Sequence, residues 1–229
     1  MLTRPRSWLP PQLVDLYDHA RFEYHTFKGR LFAKKLRRYP QLSYLHVGCG
    51  SVHLPGFLNT DCFLNRDVDL PIDIRFPLPL ESSAWRGIYA HHSLEHIPYR
   101  DACAFLREAY RILLPGGRIR IVVPDGGKIV DLYARHRERA DSEIFQFHPL
   151  QHRNPEHRTA MEILNHVFRD EKFNPHYFAW DYETLFFRLH EAGFASVIRV
   201  GVGASEDPRL AHLDNPGWEN HSLYVEAIK

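Results

Sequence analysis

The chain has 229 residues, 44% of them hydrophobic, and its 29 Lys and Arg against 28 Asp and Glu leave a net charge of +1. This length suits one domain with a full core, and the charge balance gives no global reason to expect a nucleic-acid partner. Three cysteines without CxxC spacing argue against a disulfide framework, and no apolar run approaches twenty residues. We therefore expect a soluble, cytoplasmic protein without a transmembrane segment.

The first forty residues are predicted to form an N-terminal helical extension. Prolines at positions 5, 10 and 11 indicate an extended lead-in, and apolar residues recur at helical spacing over residues 12–38. The end of this segment is basic. An ordinary solvated helix face explains that composition, and contact with an anionic or membrane surface is the alternative.

Two short strands with polar ends follow. Residues 43–48 (SYLHVG) are predicted as the first strand, which opens into the turn Gly48-Cys49-Gly50. Residues 57–61 form the second, which ends on Asp61. Parallel neighbours normally need a crossover of a dozen or more residues. The intervening segment is too short for one, so we expect a crossover reduced to a turn, with the N-terminal helix covering the exposed sheet face.

The remaining chain alternates between strands and helices. Strands are predicted near residues 67–74, 87–92 and 118–123, helices at 99–113 and from 126 to about 139, a further helix at 181–192, and closing strands at 194–201 and 221–228. Residues 141–178 break this rhythm and are interpreted as an insertion over the strand ends, with one helix near residues 160–168. The pattern predicts an α/β fold with a mostly parallel sheet and an antiparallel end.

Several motifs occur in an order that resembles a known family. They are LHVGCG at 45–50, NTD at 59–61, HSLEHI at 92–97, LREAYRILLPGG at 106–117 and VPD at 123–125. Together they are similar to class I S-adenosylmethionine-dependent methyltransferases, in particular a small subgroup with the motif LPGFLNTD. The resemblance covers residues 43–228 and implies a Rossmann-like methyltransferase domain over residues 41–229, with S-adenosyl-L-methionine as the cofactor.

The resemblance also assigns roles to individual positions. It implies that the glycine loop holds the methionine part of the cofactor, that Asp61 binds the ribose hydroxyls and that Asp73 faces the adenine amino group. The implied cofactor-binding residues are His46, Gly48, Cys49, Gly50, Asp61, Asp73, Ile74 and His92. His46 departs from the pattern, because many family members carry a carboxylate there, and a neutral imidazole cannot pair with the cofactor's ammonium group.

Two other ligands, NAD and zinc, fit the sequence less well. An NAD site needs a third glycine and a helix directly after the turn, and the sequence offers neither. Residues 92–96 (HSLEH) fit the H-x-x-E-H pattern of zinc hydrolases, with His92, Glu95 and His96 as the essential residues. That chemistry needs a continuous helix, which Pro98 disfavours. A single helical turn in a loop, with Glu95 capping backbone groups, is expected instead. The histidines of the insertion match no closed zinc pattern, so no metal site is expected.

The expected activity is methyl transfer to an oxygen of a small-molecule or carbohydrate-like acceptor. Such a reaction depends on near-attack geometry, and a histidine can take the proton from a hydroxyl acceptor. The candidates for this base are His96, His166 and His176, with Asp125 as an alternative. The competing hypothesis is a methyltransferase-like protein that binds the cofactor without turnover.

Overall fold

The computed structural model describes residues 42–63, 65–136, 143–147, 157–169 and 175–229, and seven helical residues between positions 13 and 27. The strands are β1 (Tyr44–Val47), β2 (Leu58–Asp61), β3 (Leu70–Pro71), β4 (Trp85–His91), β5 (Leu113–Pro124), β6 (Ser196–Arg199) and β7 (Ser222–Ile228). The helices are α1 (Tyr99–Ile112), α2 (Gly126–His136), α3 (Ala160–Arg169) and α4 (Tyr182–Ala192). Short 3-10 turns occupy Leu94–His96, Glu143–Gln146 and Pro216–Trp218.

The strands form one seven-stranded sheet in the order β3-β2-β1-β4-β5-β7-β6. The first five strands run parallel to one another, and β7 lies antiparallel to both β5 and β6. This order confirms the predicted Rossmann-like, methyltransferase-type α/β fold with an antiparallel C-terminal strand. The predicted strand at residues 67–74 is reduced to Leu70–Pro71 at the sheet edge.

Helices α1 and α4 cover one face of the sheet. The spacing of the apolar residues in α1 buries Ala102, Phe105, Leu106 and Ala109 against the strands. Helix α4 has a well-defined start and end, because Asp181 accepts a hydrogen bond from Thr184 N at 2.8 Å and Gly193 ends the helix at φ 113°. Among the described helices, none is long and apolar enough to cross a membrane.

The first crossover contains no helix. Strands β1 and β2 are adjacent and parallel, in the register Leu45 to Leu58, although only residues 48–57 connect them. This segment passes through turns at both ends, where Val52 N donates to Cys49 O and Phe57 N to Leu54 O. The predicted reduction of this crossover to a turn is therefore confirmed.

A C-terminal loop covers the second face of the sheet. Arg120, fully buried on β5, donates to Ala204 O at 2.6 Å and to Gly201 O at 3.0 Å, and forms ion pairs with Asp214 and Glu226. Asp214 also accepts from Gly203 N at 2.7 Å and from Tyr89 OH at 3.1 Å. These bonds hold residues 201–214 against strands β4, β5 and β7, where a crossover helix would otherwise lie.

The expectation that the N-terminal helix covers the sheet stays a prediction. Its described apolar side chains, Leu13, Leu16, Tyr17, Tyr24 and Phe27, are 49–63% exposed. Glu23 makes a 2.8 Å ion pair with Arg75, which places that residue beside the loop after β3. The basic end at residues 28–38 lies outside the described residues, and the domain boundary at residue 40 stays a prediction.

The described part of the insertion packs on α2. Helix α3 forms where it was predicted, and it buries Ile163 and Val167 in a small cluster with Ile129 and Leu132 of α2. The chain then returns to the sheet at residues 175–180, where Tyr177 N donates to Glu95 O at 2.7 Å. The end of the insertion is thereby attached to the 3-10 turn that follows β4.

The buried ion pairs around Arg120 predict a large difference between two carboxylate variants. Asp214→Ala leaves the Arg120 guanidinium buried and underpaired, so we expect a loss of about 3–5 kcal/mol in the free energy of unfolding. Glu206→Ala is the matched control, because this 79% exposed side chain pairs with Arg118 at 3.1 Å and should cost less than about 1 kcal/mol. Urea unfolding of both variants tests this expectation, and equal losses would contradict it.

Candidate cofactor and acceptor cleft

A cleft of about 370 Å³ opens at the carboxyl ends of β1, β2 and β4. The order of the sheet reverses between β1 and β4, and open α/β sheets bind ligands at such a switch point. The lining residues come from the loops after these strands and from the segment around β3. They are Gly48, Gly50, Asp61, Cys62, Phe63, Asn65, Ile72, Asp73, Ile74, His92, Ser93, His96 and Ile97.

The glycine turn after β1 depends on residues without a side chain. Gly48 and Gly50 have φ angles of 66° and 55°, which L-residues with a Cβ rarely adopt. A Cβ at Gly48 would also lie 2.1 Å from Ser93 Oγ. The turn therefore brings bare backbone against the loop after β4 and exposes peptide groups to the cleft.

Asp61 connects this turn to the end of β2. Its Oδ2 accepts from Gly50 N at 2.9 Å, and its Oδ1 accepts from Phe63 N at 2.9 Å. Asn65 completes the link by donating to Gly50 O at 2.7 Å. Oδ1 also accepts from Cys62 Sγ at 3.5 Å, whereas Oδ2 retains acceptor capacity, because an ionised carboxylate offers about four lone-pair sites. Asp61 thus has a structural role besides any contact with a ligand.

Asp73 lines the cleft, but Arg75 occupies its carboxylate. Oδ1 accepts from Arg75 N and Nε, both at 3.1 Å, and Oδ2 accepts from the guanidinium at 3.3 and 2.9 Å. These four bonds use the acceptor capacity of both oxygens. The predicted contact of Asp73 with an adenine amino group would have to compete with Arg75, and it stays a prediction. Ile74 also lines the cleft, as expected.

His92 occupies the end of β4 in a left-handed conformation, with φ 47°. Its Nε2 lies 2.9 Å from Ser222 Oγ, and its Nδ1 lies 3.0 Å from Glu95 Oε1. The ring packs beside Trp218 and His221, with centroid distances of 4.8 and 5.4 Å. These contacts hold the imidazole rigidly at the wall of the cleft.

The segment after His92 forms a single 3-10 turn at Leu94–His96 and not the continuous helix that a zinc hydrolase of the H-x-x-E-H type needs. Glu95 is buried, and neither carboxylate oxygen accepts a hydrogen bond from the described residues, so the expectation that it caps backbone groups is wrong. His96 lines the cleft, and its ring lies 4.8 Å from that of His176. Two of the predicted bases are thus neighbours.

Two predicted cofactor-binding side chains lie outside the cleft. His46 is 3% exposed, packs on Tyr89 and has its Nδ1 3.1 Å from Asn59 Oδ1. Cys49 is equally buried, and its thiol lies 3.8 Å from Asp67 O, so only its backbone belongs to the turn. Burial lowers the pKa of His46 and raises the pKa of the Cys49 thiol to about 12. Both side chains are neutral near pH 7.

Two predicted bases also lie outside the lining of the cleft. His166 is on α3, where its ring lies 5.3 Å from that of His157. Asp125 is 6% exposed and accepts from Lys128 N at 2.9 Å, so it caps the start of α2. The structure therefore groups His96 with His176 and gives Asp125 a structural task.

Cys62, Phe63, Asn65 and Ser93 line the cleft, and the sequence analysis did not identify them. All four lie within four residues of the ends of β2 and β4. The rule that ligands bind outside the carboxyl ends of parallel strands indicates these positions. Ile72 and Ile97, also missed, supply apolar walls.

Comparisons with known proteins give likeness to solved structures alone. No protein-family model and no curated protein matches the chain. A structure of an S-adenosylmethionine-dependent methyltransferase from Archaeoglobus fulgidus covers 88% of this chain and 94% of its own, at 15% identity and a TM-score of 0.43. The structure of such a methyltransferase from Thermotoga maritima covers 95% of this chain and 97% of its own length, at 18% identity and a TM-score of 0.46. A third structure, from Mesorhizobium loti, covers 87% of this chain and 96% of its own length, at 14% identity and a TM-score of 0.44. Such values carry no argument about function.

The half-buried His91 at the end of β4 predicts an acid-sensitive fold. Burial lowers the pKa of His91 to about 3 from its usual 6.5, so the folded state resists protonation. The contribution of the neutral His91 ring to the stability of the fold is complete above pH 6.5 and is lost as the pH falls toward 3. The free energy of unfolding of the wild type should fall between pH 7.5 and pH 4.5. We expect this fall to be about 2–3 kcal/mol smaller in His91→Gln, as measured by urea unfolding. The exposed His190→Gln should leave that loss unchanged, and a similar pH profile in both variants would contradict the prediction.

Proposed function

We propose that the protein binds S-adenosyl-L-methionine in this cleft and transfers its methyl group to a hydroxyl oxygen of a small-molecule or carbohydrate-like acceptor. The observation that carries the proposal is the joint placement of the glycine turn and Asp61 at the ends of β1 and β2. Bare peptide groups next to a carboxylate suit a ligand with a ribose and a compact charged tail. The likeness of the motifs to class I methyltransferases supports the same ligand.

Each part of the cleft suits one part of the cofactor. The backbone of residues 48–50 would face the methionine moiety, and the unused lone pairs of Asp61 would accept hydrogen bonds from the ribose hydroxyls. The apolar side chains of Ile72 and Ile74 would contact the adenine ring. His46 lies outside the cleft lining, so the cofactor's ammonium group would need a partner other than this side chain.

The acceptor would enter on the side that His92, Ser93 and His96 line. In the reaction an oxygen lone pair of the acceptor attacks the methyl carbon in line with the C–S bond, and that bond breaks to leave a neutral thioether. The protein contributes mainly by holding the two reactants in near-attack geometry. The hydroxyl proton must leave as the C–O bond forms. Burial lowers the pKa of His96, so its ring is neutral at pH 7 and can accept this proton.

The second candidate function is cofactor binding without turnover. Two observations favour it: His46 stands where a carboxylate is usual in the family that the sequence resembles, and Arg75 occupies the Asp73 carboxylate. Both features weaken the contacts expected for a family member, although they leave the glycine turn and Asp61 intact. A protein of this kind would bind S-adenosylmethionine or its demethylated product and transfer no methyl group.

Replacement of Asp61 tests the cofactor assignment. Asp61→Asn retains the size of the side chain but loses charge-assisted hydrogen bonds worth about 1.5–3 kcal/mol. We therefore expect the Kd for S-adenosylmethionine in titration calorimetry to rise about 10- to 150-fold. Asp67→Asn is the control in the same loop, because Asp67 does not line the cleft, and its Kd should match that of the wild type. Unchanged binding by Asp61→Asn would refute the assignment.

Calorimetry and a transfer assay together separate the two candidate functions. No binding of S-adenosylmethionine or of its demethylated product would exclude both. Binding followed by methyl transfer from labelled cofactor to a hydroxyl compound supports the enzyme. Binding without transfer to any member of a broad panel of alcohols, phenols and sugars supports the non-catalytic alternative.

A further inference from the structure

Three potential metal ligands converge at the acceptor side of the cleft. Glu95, His96 and His176 each offer one ligand atom, and these atoms all lie within 4.8 Å of one another. His96 Nε2 lies 3.8 Å from Glu95 Oε1. The hydrogen bond from Tyr177 N to Glu95 O, at 2.7 Å, holds the segment of His176 against the 3-10 turn. The tertiary structure therefore brings His176 to a pair of residues eighty positions earlier in the chain.

The buried Glu95 carboxylate lacks hydrogen-bond donors. It is 1% exposed, and neither oxygen accepts a hydrogen bond from any described residue. His92 Nδ1 approaches Oε1 at 3.0 Å but outside hydrogen-bond geometry. A buried carboxylate without hydrogen-bond donors is costly unless a cation compensates it.

The orientation of His176 is suited to metal binding. His176 Nδ1 lies 2.7 Å from Val167 O, and donation to this carbonyl leaves the lone pair of Nε2 free. A backbone carbonyl that fixes the tautomer in this way is the usual outer-shell partner of a metal-bound histidine.

We propose that Glu95, His96 and His176 bind a divalent metal ion of the zinc class. Two imidazoles and one carboxylate form a common ligand set for catalytic zinc and for non-haem iron, and both kinds of site keep a position open for water or substrate. Metal–ligand bonds of about 2.0–2.2 Å place the donors about 3.0–3.5 Å apart. Small side-chain rotations close the present separations to these values.

The location of His96 indicates what the ion would do. Because His96 lines the cleft, the open position of the metal would face the acceptor. A hydroxyl bound there loses its proton more readily, as metal-bound water does. With the ion present, His96 would serve as a ligand and not as the base. The metal would lower the pKa of the acceptor hydroxyl, and its proton would pass to solvent water. This role rests on the proposed methyl transfer, whereas metal binding itself does not.

Metal binding is tested on the full chain, stripped with a chelator and titrated with Co²⁺ alone. We expect visible absorption bands that saturate at one ion per chain and that Zn²⁺ displaces. Glu95→Gln and His176→Ala should each weaken binding at least about 100-fold, because even an outer-shell partner is worth 10- to 100-fold. His190→Gln replaces an exposed histidine on α4 and should bind like the wild type. No saturable site, or equal affinity in wild type and His176→Ala, would overturn the proposal.

Thermal unfolding gives a second measurement that does not depend on cobalt spectra. Zn²⁺ should raise the Tm of the wild type and leave that of Glu95→Gln unchanged, because a ligand stabilises only the state that binds it. An equal rise in both proteins would count against the site. Glu95→Gln has nearly the same size as the wild-type residue and removes a buried charge, so it is expected to remain folded.

The metal site and the proposed methyl transfer can be tested separately, because cobalt titration needs neither cofactor nor acceptor. Metal binding without any affinity for S-adenosylmethionine would overturn the methyltransferase proposal and support the metal site. Cofactor binding without a metal site would overturn the metal proposal and support the cofactor assignment. If both are present, chelation should lower kcat at an unchanged Kd for S-adenosylmethionine, and equal activity of the stripped and Zn²⁺-loaded enzyme would overturn the catalytic role of the ion.

Discussion

The short link between β1 and β2 is the constraint on which the rest of the structure depends. Ten residues cannot form a crossover helix, so one face of the sheet must be covered by other means. The chain covers it with residues 201–214, which the buried Arg120 holds through two carbonyls and the carboxylate of Asp214. Glu226 of β7 pairs with the same guanidinium. A charge that is fully buried needs all of these partners. The loop between β6 and β7 has therefore become part of the core.

The same short link shapes the cleft. Because no helix follows Gly50, the cleft has no helix N-terminus at the β1 turn to attract an anionic ligand. The turn is held instead by Asp61 and Asn65, which bond to the backbone of Gly50. Peptide groups and one carboxylate remain as the recognition elements, and a zwitterionic cofactor with a ribose suits them better than a dinucleotide pyrophosphate. The wall after β4 is rich in histidine, and in the proposed reaction it would face the acceptor.

Most of the fold could be predicted from local pattern. The alternation of apolar runs with amphipathic segments placed all four described helices and the parallel strands to within a few residues, except β3 and the start of β5. The Rossmann-like class of the sheet, but not its strand order, followed from the resemblance to methyltransferases. The site was predicted less completely. Gly48, Gly50, Asp61 and His92, which the glycine turn and the resemblance indicated, line the cleft. His46 and Cys49 do not, because His46 packs on Tyr89 and the Cys49 thiol is buried near Asp67 O.

The sequence by itself determined the sheet, the reduced crossover and the glycine turn, because these depend on short-range hydrophobic periodicity and on the absence of side chains at two positions. Only the tertiary structure decided which polar groups meet. It paired Asp73 with Arg75 and assigned Asp125 to a helix cap. It also brought His176 to Glu95 and His96. The sequence positions of these residues do not predict the contact, because it depends on the long-range backbone hydrogen bond from Tyr177 to Glu95.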